Sequence, residues 1–225
     1  MNFTPLGDCA LVVELAEKIG DDALARVQAL VRSLEQDPPH GAVEIVPSFT
    51  TVAVFFDPAK IESLDKLRNE LVARIPKRTP REDKAAVREV AIPVCYGGEF
   101  GPDLAEVAAH TGLGEAEIIA LHHGAVYRVH AVGFAPGFPY LAGLPEKLRT
   151  PRRDTPRTGV PAGSVGIGGA QTGIYPIATP GGWQLIGRTP RRLFQPADEA
   201  GPALLRIGDR VRFQPISPEE FAAWK

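Results

Sequence analysis

One segment, residues 131–190, constrains the fold of this chain more than any other. It holds 12 of the 23 glycines and 9 of the 22 prolines of the sequence. Glycine reaches backbone angles that other residues avoid, and proline fixes φ and lacks a backbone donor. The segment therefore cannot form long helices, and it is too apolar for a disordered linker. We expect an ordered, turn-rich surface. Its aromatic residues include Phe134, Phe138, Tyr140, Tyr175 and Trp183.

Positive charge dominates the same segment, in which only Glu146 and Asp154 are acidic. A guanidinium binds a carboxylate or a phosphate through two parallel hydrogen bonds, a geometry that lysine cannot match. The arginines therefore indicate either an anion-binding surface or a loop that they keep soluble. Arg157 and Arg188 are the stronger candidates, because small residues and prolines flank them. The arginines considered are Arg152, Arg153, Arg157 and Arg188.

The whole chain has 225 residues, 44% hydrophobic and 23% charged, with a formal net charge of −2. This length suits one large domain or two small ones. The lack of an overall basic charge argues against nucleic acid as a partner, and no apolar run predicts a membrane span. The first residues include Asp8 and no basic stretch, unlike a signal peptide, so we expect a cytoplasmic protein. Cys9 and Cys95 form neither a disulfide framework nor a metal-binding pattern.

Residues 1–76 follow the order strand, helix, two strands, helix, which predicts an α+β domain. Apolar residues at helical spacing predict the first helix at Asp21–Gln36. The second helix is predicted to open at Asp57, and a turn is predicted at Pro47. The predicted strands are Cys9–Leu15, Val43–Ile45 and Thr51–Phe56, and a polar, proline-punctuated linker is predicted at residues 77–86.

Many short strands at turn-rich spacing predict a β-barrel or sandwich for residues 87–225. Two short helices are expected before the glycine-rich segment, one beginning near Asp103 and one at Glu115–His122. Towards the end of the chain, residues 204–213 predict two short strands around a turn at Gly208–Asp209.

Three histidines are candidates for chemistry. His122 ends a predicted helix, where a cation suits the helix dipole, and a solvated helix end is the plainer interpretation of His123. Alternation in residues 125–134 predicts a strand with Arg128 and His130 on one face. Neither an HExxH motif nor paired Cys/His spacing is present, so no metal site is predicted.

Three other features leave alternatives open. The run Gly166–Gly173 predicts either a nest of backbone N–H groups for an anion or the tight turns of a barrel. Ser164 is not part of a GxSxG elbow, which argues against a nucleophilic serine. Trp183 follows a flexible turn and either walls a pocket or fills the core.

The motifs of the glycine-rich segment occur in a specific combination. They are Gly133–Leu141, Pro151–Arg152 with Pro156–Arg157, Val160–Val165, Gln171–Pro176, Pro180–Trp183 and Ile186–Pro190. Three further motifs of the same combination precede them, at Ile92–Val94, Tyr96–Gly98 and Gly101–Leu104. The combination resembles the family of 5-oxoprolinase B subunits, also known as allophanate hydrolase subunit 1, which includes a Kip-type inhibitor of a sporulation histidine kinase. The resemblance runs across almost the whole chain.

The resemblance implies an α+β N-terminal domain followed by a mainly β, cyclophilin-like barrel domain. It implies a protein that is inactive alone and that works with two partners of the same enzyme, a homologous C subunit and a separate A subunit. Together they hydrolyse 5-oxo-L-proline to L-glutamate at the expense of ATP. Because Glu146 and Asp154 are the segment's only acids, two arrangements are open. Either the C subunit completes the sites for ATP and Mg²⁺, or this chain shapes the substrate pocket and the partner performs more of the chemistry. The alternatives are a regulator that inhibits histidine-kinase autophosphorylation and a component of an allophanate hydrolase-type enzyme.

From these motifs we predict Arg157, Arg188 and His122 as catalytic residues. His122 falls where the family motif carries a histidine, and the arginines are expected to hold the substrate carboxylate or a phosphoryl group. The predicted substrate-binding residues are Arg152, Ser164, Gln171, Thr172, Tyr175 and Trp183.

Overall fold

The computed structural model describes residues 2–76, 78, 87–198 and 201–224. The chain divides into two compact units, residues 1–86 and 87–225, called here the N-terminal and C-terminal units. The linker predicted at residues 77–86 lies outside the described residues apart from Arg78. None of the helices in the described ranges is long and apolar enough to cross a membrane.

The N-terminal unit combines an antiparallel sheet with two helices. Its elements are β1 (Asn2–Pro5), β2 (Ala10–Glu14), α1 (Asp21–Gln36), β3 (Ala42–Ser48), β4 (Thr51–Phe56) and α2 (Leu64–Arg74). The strand order is β1-β2-β4-β3. Alternate residues of β4 face the helices, so that Val52 and Val54 are fully buried beside Leu30 and Leu34 of α1.

Three details of this unit differ from the sequence-based expectation. Pro47 lies inside β3 rather than in a turn, which is tolerated because β3 is an edge strand. The second helix begins at Leu64 instead of Asp57, because the Ser63 side chain caps it by accepting a hydrogen bond from the Lys66 N–H. The edge strand β1 was not predicted. The first helix has the predicted bounds, Asp21–Gln36.

The C-terminal unit is built around a closed barrel. In its described part, seven strands close in the order β10-β7-β6-β13-β5-β12-β9, and β8 and β11 form a separate two-stranded ribbon. The elements are β5 (Glu89–Tyr96), α3 (Leu104–Thr111), α4 (Glu115–Gly124), β6 (Tyr127–Val132), β7 (Pro139–Ala142), a 3-10 helix (Glu146–Leu148), β8 (Arg157–Val160), β9 (Ser164–Gly168), β10 (Gln171–Ile174), β11 (Thr179–Gly181), β12 (Gln184–Arg188), β13 (Arg210–Pro215) and α5 (Pro218–Ala222).

Apolar side chains fill the barrel, and α3 and α4 pack against β12 and β13. Ile92, Val129, Val165, Ile186 and Val211 are all fully buried. A second, smaller cluster lies apart from this core and contains Phe138, Tyr175 and Trp183. The glycine-rich segment thus contributes both barrel strands and a separate aromatic cluster.

Two predictions about the barrel strands were wrong. Residues 204–213 do not form two strands: Leu204–Asp209 is a loop, and β13 alone follows it, pairing parallel with β5. The Asp209 carboxylate accepts a hydrogen bond from the Arg206 N–H, which favours a turn there. The alternation in β6 is broken by an irregularity between Val129 and Ala131, so that His130 is buried.

Candidate functional site

A pocket of about 320 Å³ opens on the C-terminal unit beside the β8–β11 ribbon. Aromatic rings form most of its wall, and two guanidinium groups complete it. Its volume lies at the lower end of the range for small-molecule sites. The side chains that matter here are those of Phe134, Phe138, Tyr140, Tyr175, Trp183, Arg152 and Arg153.

The aromatic wall is organised around Phe138, which is buried. Its ring centroid lies 5.2 Å from that of Tyr175 and 5.5 Å from that of Trp183, with interplanar angles of 80° and 89°. Tyr140 packs edge-on against Phe138 at 4.9 Å. Aromatic pairs prefer these edge-to-face arrangements, so the wall is held in a defined shape.

The glycines of β9 and β10 make room for this wall. A Cβ atom on Gly168 would lie 2.6 Å from the Trp183 indole, and one on Gly173 would lie 2.9 Å from Cζ of Phe138. The indole therefore lies directly on the backbone of the hairpin. The glycine run Gly166–Gly173 forms two paired strands with a tight turn at Gly169, and it is the turn alternative that describes this geometry.

Tyr175 is buried with its hydroxyl against the ribbon. A Cβ atom on Gly181 would lie 2.4 Å from that hydroxyl, so β11 needs glycine there. Burial raises the pKa of Tyr175, while a hydrogen bond with the Trp183 backbone and the positive charges of Arg152 and Arg157 oppose the rise. The electrostatic influence of both arginines reaches this pocket residue.

Phe134 stands at the mouth of the pocket and is unusual in two respects. Its ring is 63% exposed, and its φ of +69° lies in the left-handed region that side chains other than glycine rarely adopt. Edge-to-face contacts with Phe138 and Tyr175 hold the ring, at centroid distances of 5.5 and 6.4 Å. Exposed aromatic surface next to a pocket favours contact with a ligand or a partner.

A buried carboxylate, Asp103, fixes two of the arginines. Its Oδ1 atom accepts hydrogen bonds from Arg157 Nη2 at 2.6 Å and from Arg153 Nη1 at 3.1 Å. The same Arg153 nitrogen also donates to Glu106 at 3.1 Å. Asp103 is 3% exposed, whereas the side chains of Arg153 and Arg157 are 29% and 26% exposed. The buried Asp103 carboxylate therefore holds two arginine side chains that are each partly exposed.

Asp103 is itself held by the barrel. Its backbone N–H donates to the Leu185 carbonyl at 2.9 Å, and the Leu185 N–H donates to Asp103 Oδ2 at 2.7 Å. Asp103 occupies the N-cap position of α3, yet its side chain makes no capping hydrogen bond. An aspartate at this position normally caps its helix, so the fold directs this one to the arginines and β12 instead.

Arg152 and Arg157 both lie close to the pocket, by different means. The Arg152 guanidinium is exposed and lies over the Trp183 ring, 5.7 Å from the centroid, in cation–π geometry. Arg157 begins β8, opposite Gly181 of β11, which lines the pocket. Of the predicted site residues, Arg152, Tyr175 and Trp183 thus line the pocket, and Arg157 lies next to it on the ribbon.

Arg188 and Ser164 lie elsewhere on the barrel. They are opposite each other on the paired strands β12 and β9, and neither lines the pocket. Arg188 Nε donates to the Ala162 carbonyl at 2.9 Å, while Ser164 is buried. Gln171 is half-buried at the start of β10, opposite Gly168. Arg188 therefore lies apart from the pocket, whereas Arg157 is held next to it by Asp103. The catalytic roles predicted for both arginines stay predictions.

His122 and Thr172 lie inside the barrel, and both are fully buried. The Thr172 hydroxyl donates to the Gly166 carbonyl at 2.9 Å, so it accepts a hydrogen bond from His122 Nε2 at 3.0 Å. His122 Nδ1 then accepts from the Tyr96 hydroxyl at 2.8 Å. This network assigns the neutral tautomer with its proton on Nε2.

The surroundings of His122 disagree with a catalytic cation at a helix end. Burial, with a smaller contribution from the charge of His123, lowers the pKa of His122 to about 3. The ring also stacks on Phe213 at a centroid distance of 4.6 Å. In this structure His122 and Thr172 thus lie in the core and do not line the pocket. The roles predicted for them stay predictions.

Sequence reasoning missed Asp103 as a functional residue. The sequence marks it only as the start of a helix and as part of the motif Gly101–Leu104, because nothing local connects it to Arg153 and Arg157, about 50 residues away. Within that motif, Gly101 is a structural signal. A Cβ atom there would lie 2.1 Å from the Ile186 carbonyl oxygen, so glycine lets this loop lie directly on β12.

Comparison with known proteins places the chain in a family. Residues 1–205 match the model of the carboxyltransferase domain, subdomain C and D. The chain is 44% identical to the 5-oxoprolinase B subunit of Bacillus subtilis, over 98% of this chain and 95% of that protein. It is 46% identical to the 5-oxoprolinase B subunit of Escherichia coli O157:H7, over 93% and 94%.

A solved structure supports the same grouping. A conserved uncharacterized protein from Pyrococcus horikoshii is 41% identical, with a TM-score of 0.59, over 98% of this chain and 100% of that one. The sequence similarity therefore extends over both units. The chain, with its aromatic pocket and anchored arginines, belongs to the family of 5-oxoprolinase B subunits.

Proposed function

We propose that this chain is the B subunit of an ATP-dependent 5-oxoprolinase, which converts 5-oxo-L-proline to L-glutamate together with the A and C subunits. The observation that carries the proposal is similarity over nearly the whole chain to proteins named as the B subunit of 5-oxoprolinase. A protein of that name works within a larger assembly, so we expect the purified chain to be inactive alone.

The chain's own contribution is to bind the small-molecule substrate. The pocket offers a defined aromatic wall and arginines, which suit a compact ring with a negative charge. Asp103 and Glu106, the carboxylates next to it, already pair with arginines. The described residues include no group of three or more His, Cys, Asp or Glu side chains that could hold a metal ion. We therefore assign no step to ATP or Mg²⁺ on this chain and propose that the partners supply their sites.

Reconstitution tests this function directly. The chain is purified with the A and C subunits, and ADP release is measured with and without 5-oxo-L-proline. We expect release that depends on the lactam and on all three proteins, with glutamate formed in equal amount. ADP release that does not depend on the lactam, or a complex without turnover, would contradict the proposal.

The regulatory alternative is tested with the same material. The purified chain is added to a sporulation histidine kinase and autophosphorylation is followed. For a component of 5-oxoprolinase we expect no inhibition. Inhibition by the chain, combined with a complete lack of lactam-dependent ADP release, would favour the regulatory function.

A further inference from the structure

We propose that the aromatic pocket is the receptor for a cyclic amide that carries a carboxylate, with Arg153 and Arg157 binding the carboxylate and Asp103 positioning both guanidinium groups. This inference rests on the proposed function and specifies which residues of the chain recognise the substrate. The sequence predicted Arg157 and Arg188 as the arginines that bind the substrate. The inference assigns this role to Arg153 and Arg157, which the buried Asp103 holds together.

The charges around Asp103 are unbalanced in favour of an anion. Arg153 and Arg157 share one oxygen of a single buried carboxylate, and among the described residues only Arg153 has a second acidic partner, the exposed Glu106. Arg152 adds a third positive charge at the same pocket. Three guanidinium groups against two carboxylates leave a net positive site, and a guanidinium is well suited to a carboxylate.

The two anchored arginines also retain hydrogen-bonding capacity. Within the part of the chain that the structure describes, the buried atoms Arg153 Nε and Arg157 Nη1 have no hydrogen-bond partner. Buried donors without partners are uncommon in folded proteins because they cost free energy. Both side chains are partly exposed, so a ligand that shifts them can offer an acceptor to these donors.

The aromatic wall suits the other half of such a ligand. A five-membered lactam ring is small and nearly flat, and it can lie against Phe138, Tyr175 and Trp183. The apolar ring faces the aromatic side chains, and the carboxylate faces the arginines held by Asp103.

The decisive experiment compares two lactams that differ only in the carboxylate. KM for 5-oxo-L-proline and the inhibition constant of 2-pyrrolidinone are measured with the reconstituted complex. In Arg153→Ala and Arg157→Lys we expect KM to rise about 10- to 100-fold, the range for loss of one charge-assisted contact, with kcat within about threefold. The inhibition constant of 2-pyrrolidinone should stay unchanged, because this ligand has no carboxylate.

Asp103→Asn tests positioning separately from contact. It should raise KM for 5-oxo-L-proline without changing the inhibition constant of 2-pyrrolidinone, although Asp103 does not touch the ligand. Arg149→Ala is the matched control, because Arg149 pairs with the exposed Glu146 and does not line the pocket. It should leave both constants unchanged. Thermal melting of each variant verifies that it is folded.

The outcomes separate this inference from the proposed function. A wild-type complex without turnover contradicts the proposed function, and equilibrium binding of 5-oxo-L-proline to that complex then tests the pocket by itself. An active complex in which the arginine variants keep a normal KM overturns the inference alone. Equal weakening of both lactams also overturns it, since that result indicates a merely structural ion pair.

Discussion

The inside of the barrel and the rim of its pocket both contain buried polar groups, but they differ in how those groups are satisfied. Around His122, both ring nitrogens are hydrogen-bonded and the ring is fully buried. At the rim, Asp103 is fully used, whereas Arg153 and Arg157 keep buried donors without partners among the described residues. A satisfied and sealed network stabilises a fold, while an under-satisfied one next to a cavity is suited to binding.

The largest expected effect is acid destabilisation of the barrel interior. His122 has a pKa of about 3 in the folded chain, against about 6.5 when unfolded. The unfolded state therefore binds the proton first, and stability falls as the pH drops from about 6.5 to about 3. The loss is about 1.4 kcal/mol per pH unit, about 4–5 kcal/mol in total. Denaturant unfolding between pH 7 and pH 3, followed by Trp183 fluorescence, measures it.

Two variants show whether the acid effect comes from His122. His122→Gln should be less stable at pH 7 by about 2 kcal/mol, because it cannot keep both hydrogen bonds, and its stability should depend less on pH. His110→Gln is the control, because His110 is exposed on α3. If the stability of His122→Gln depended on pH as much as that of the wild type, His122 would not cause the acid effect. The contrast between the barrel interior and the pocket rim would then fail.

The second effect concerns the rim. Asp103→Ala removes the acceptor of three hydrogen bonds and leaves two guanidinium groups facing each other. We expect a loss of about 2–3 kcal/mol, less than for a fully buried pair, because both arginines are partly exposed. Denaturant unfolding measures the change. Glu106→Ala should cost less than about 1 kcal/mol, since Glu106 lies at the surface. Equal losses would contradict the role of Asp103 as the anchor.

The third effect tests the wall that the rim arginines border. A Cβ atom on Gly168 would lie 2.6 Å from the Trp183 indole, so Gly168→Ala must displace the ring. Overpacking of this kind costs about 1–2 kcal/mol. Substrate affinity should fall with it, because Trp183 lines the pocket. Gly159→Ala is the control, because a Cβ atom on Gly159 meets nothing within 4 Å. Unfolding curves measure the loss of stability, and KM of the reconstituted complex measures the loss of substrate affinity.

Much of the fold could be predicted because local patterns determine it. Apolar spacing gave α1 its bounds, and the short strands with glycine-rich turns indicated the barrel. The predictions failed where the pairing of distant strands determines the local structure. Nothing in residues 204–213 shows that β13 pairs parallel with β5, since the partner strand lies about 120 residues earlier. Pro47 indicates a turn until its strand is known to be an edge.

The candidate site could be predicted only by residue type. The sequence supplied the arginines and aromatics. The structure places Arg152, Tyr175 and Trp183 in the wall of one pocket, and Asp103 holds Arg157 next to it. The sequence could not show which of Arg157 and Arg188 lies near the pocket. Both follow a small residue or a proline, and they differ in the strand that they occupy. His122 matched a family motif, yet a motif does not distinguish a residue that packs the core from one that meets substrate.

The smallest effect is expected at Phe134, where backbone strain and ring contacts oppose each other. Phe134→Gly removes the cost of a left-handed backbone, about 1–2 kcal/mol, and loses two edge-to-face contacts of about the same total. Stability should therefore change by less than about 0.5 kcal/mol in unfolding measurements. KM of the reconstituted complex should still rise about threefold, because the ring lines the pocket mouth. A large loss of stability with an unchanged KM would show that Phe134 belongs, like His122, to the packing of the barrel.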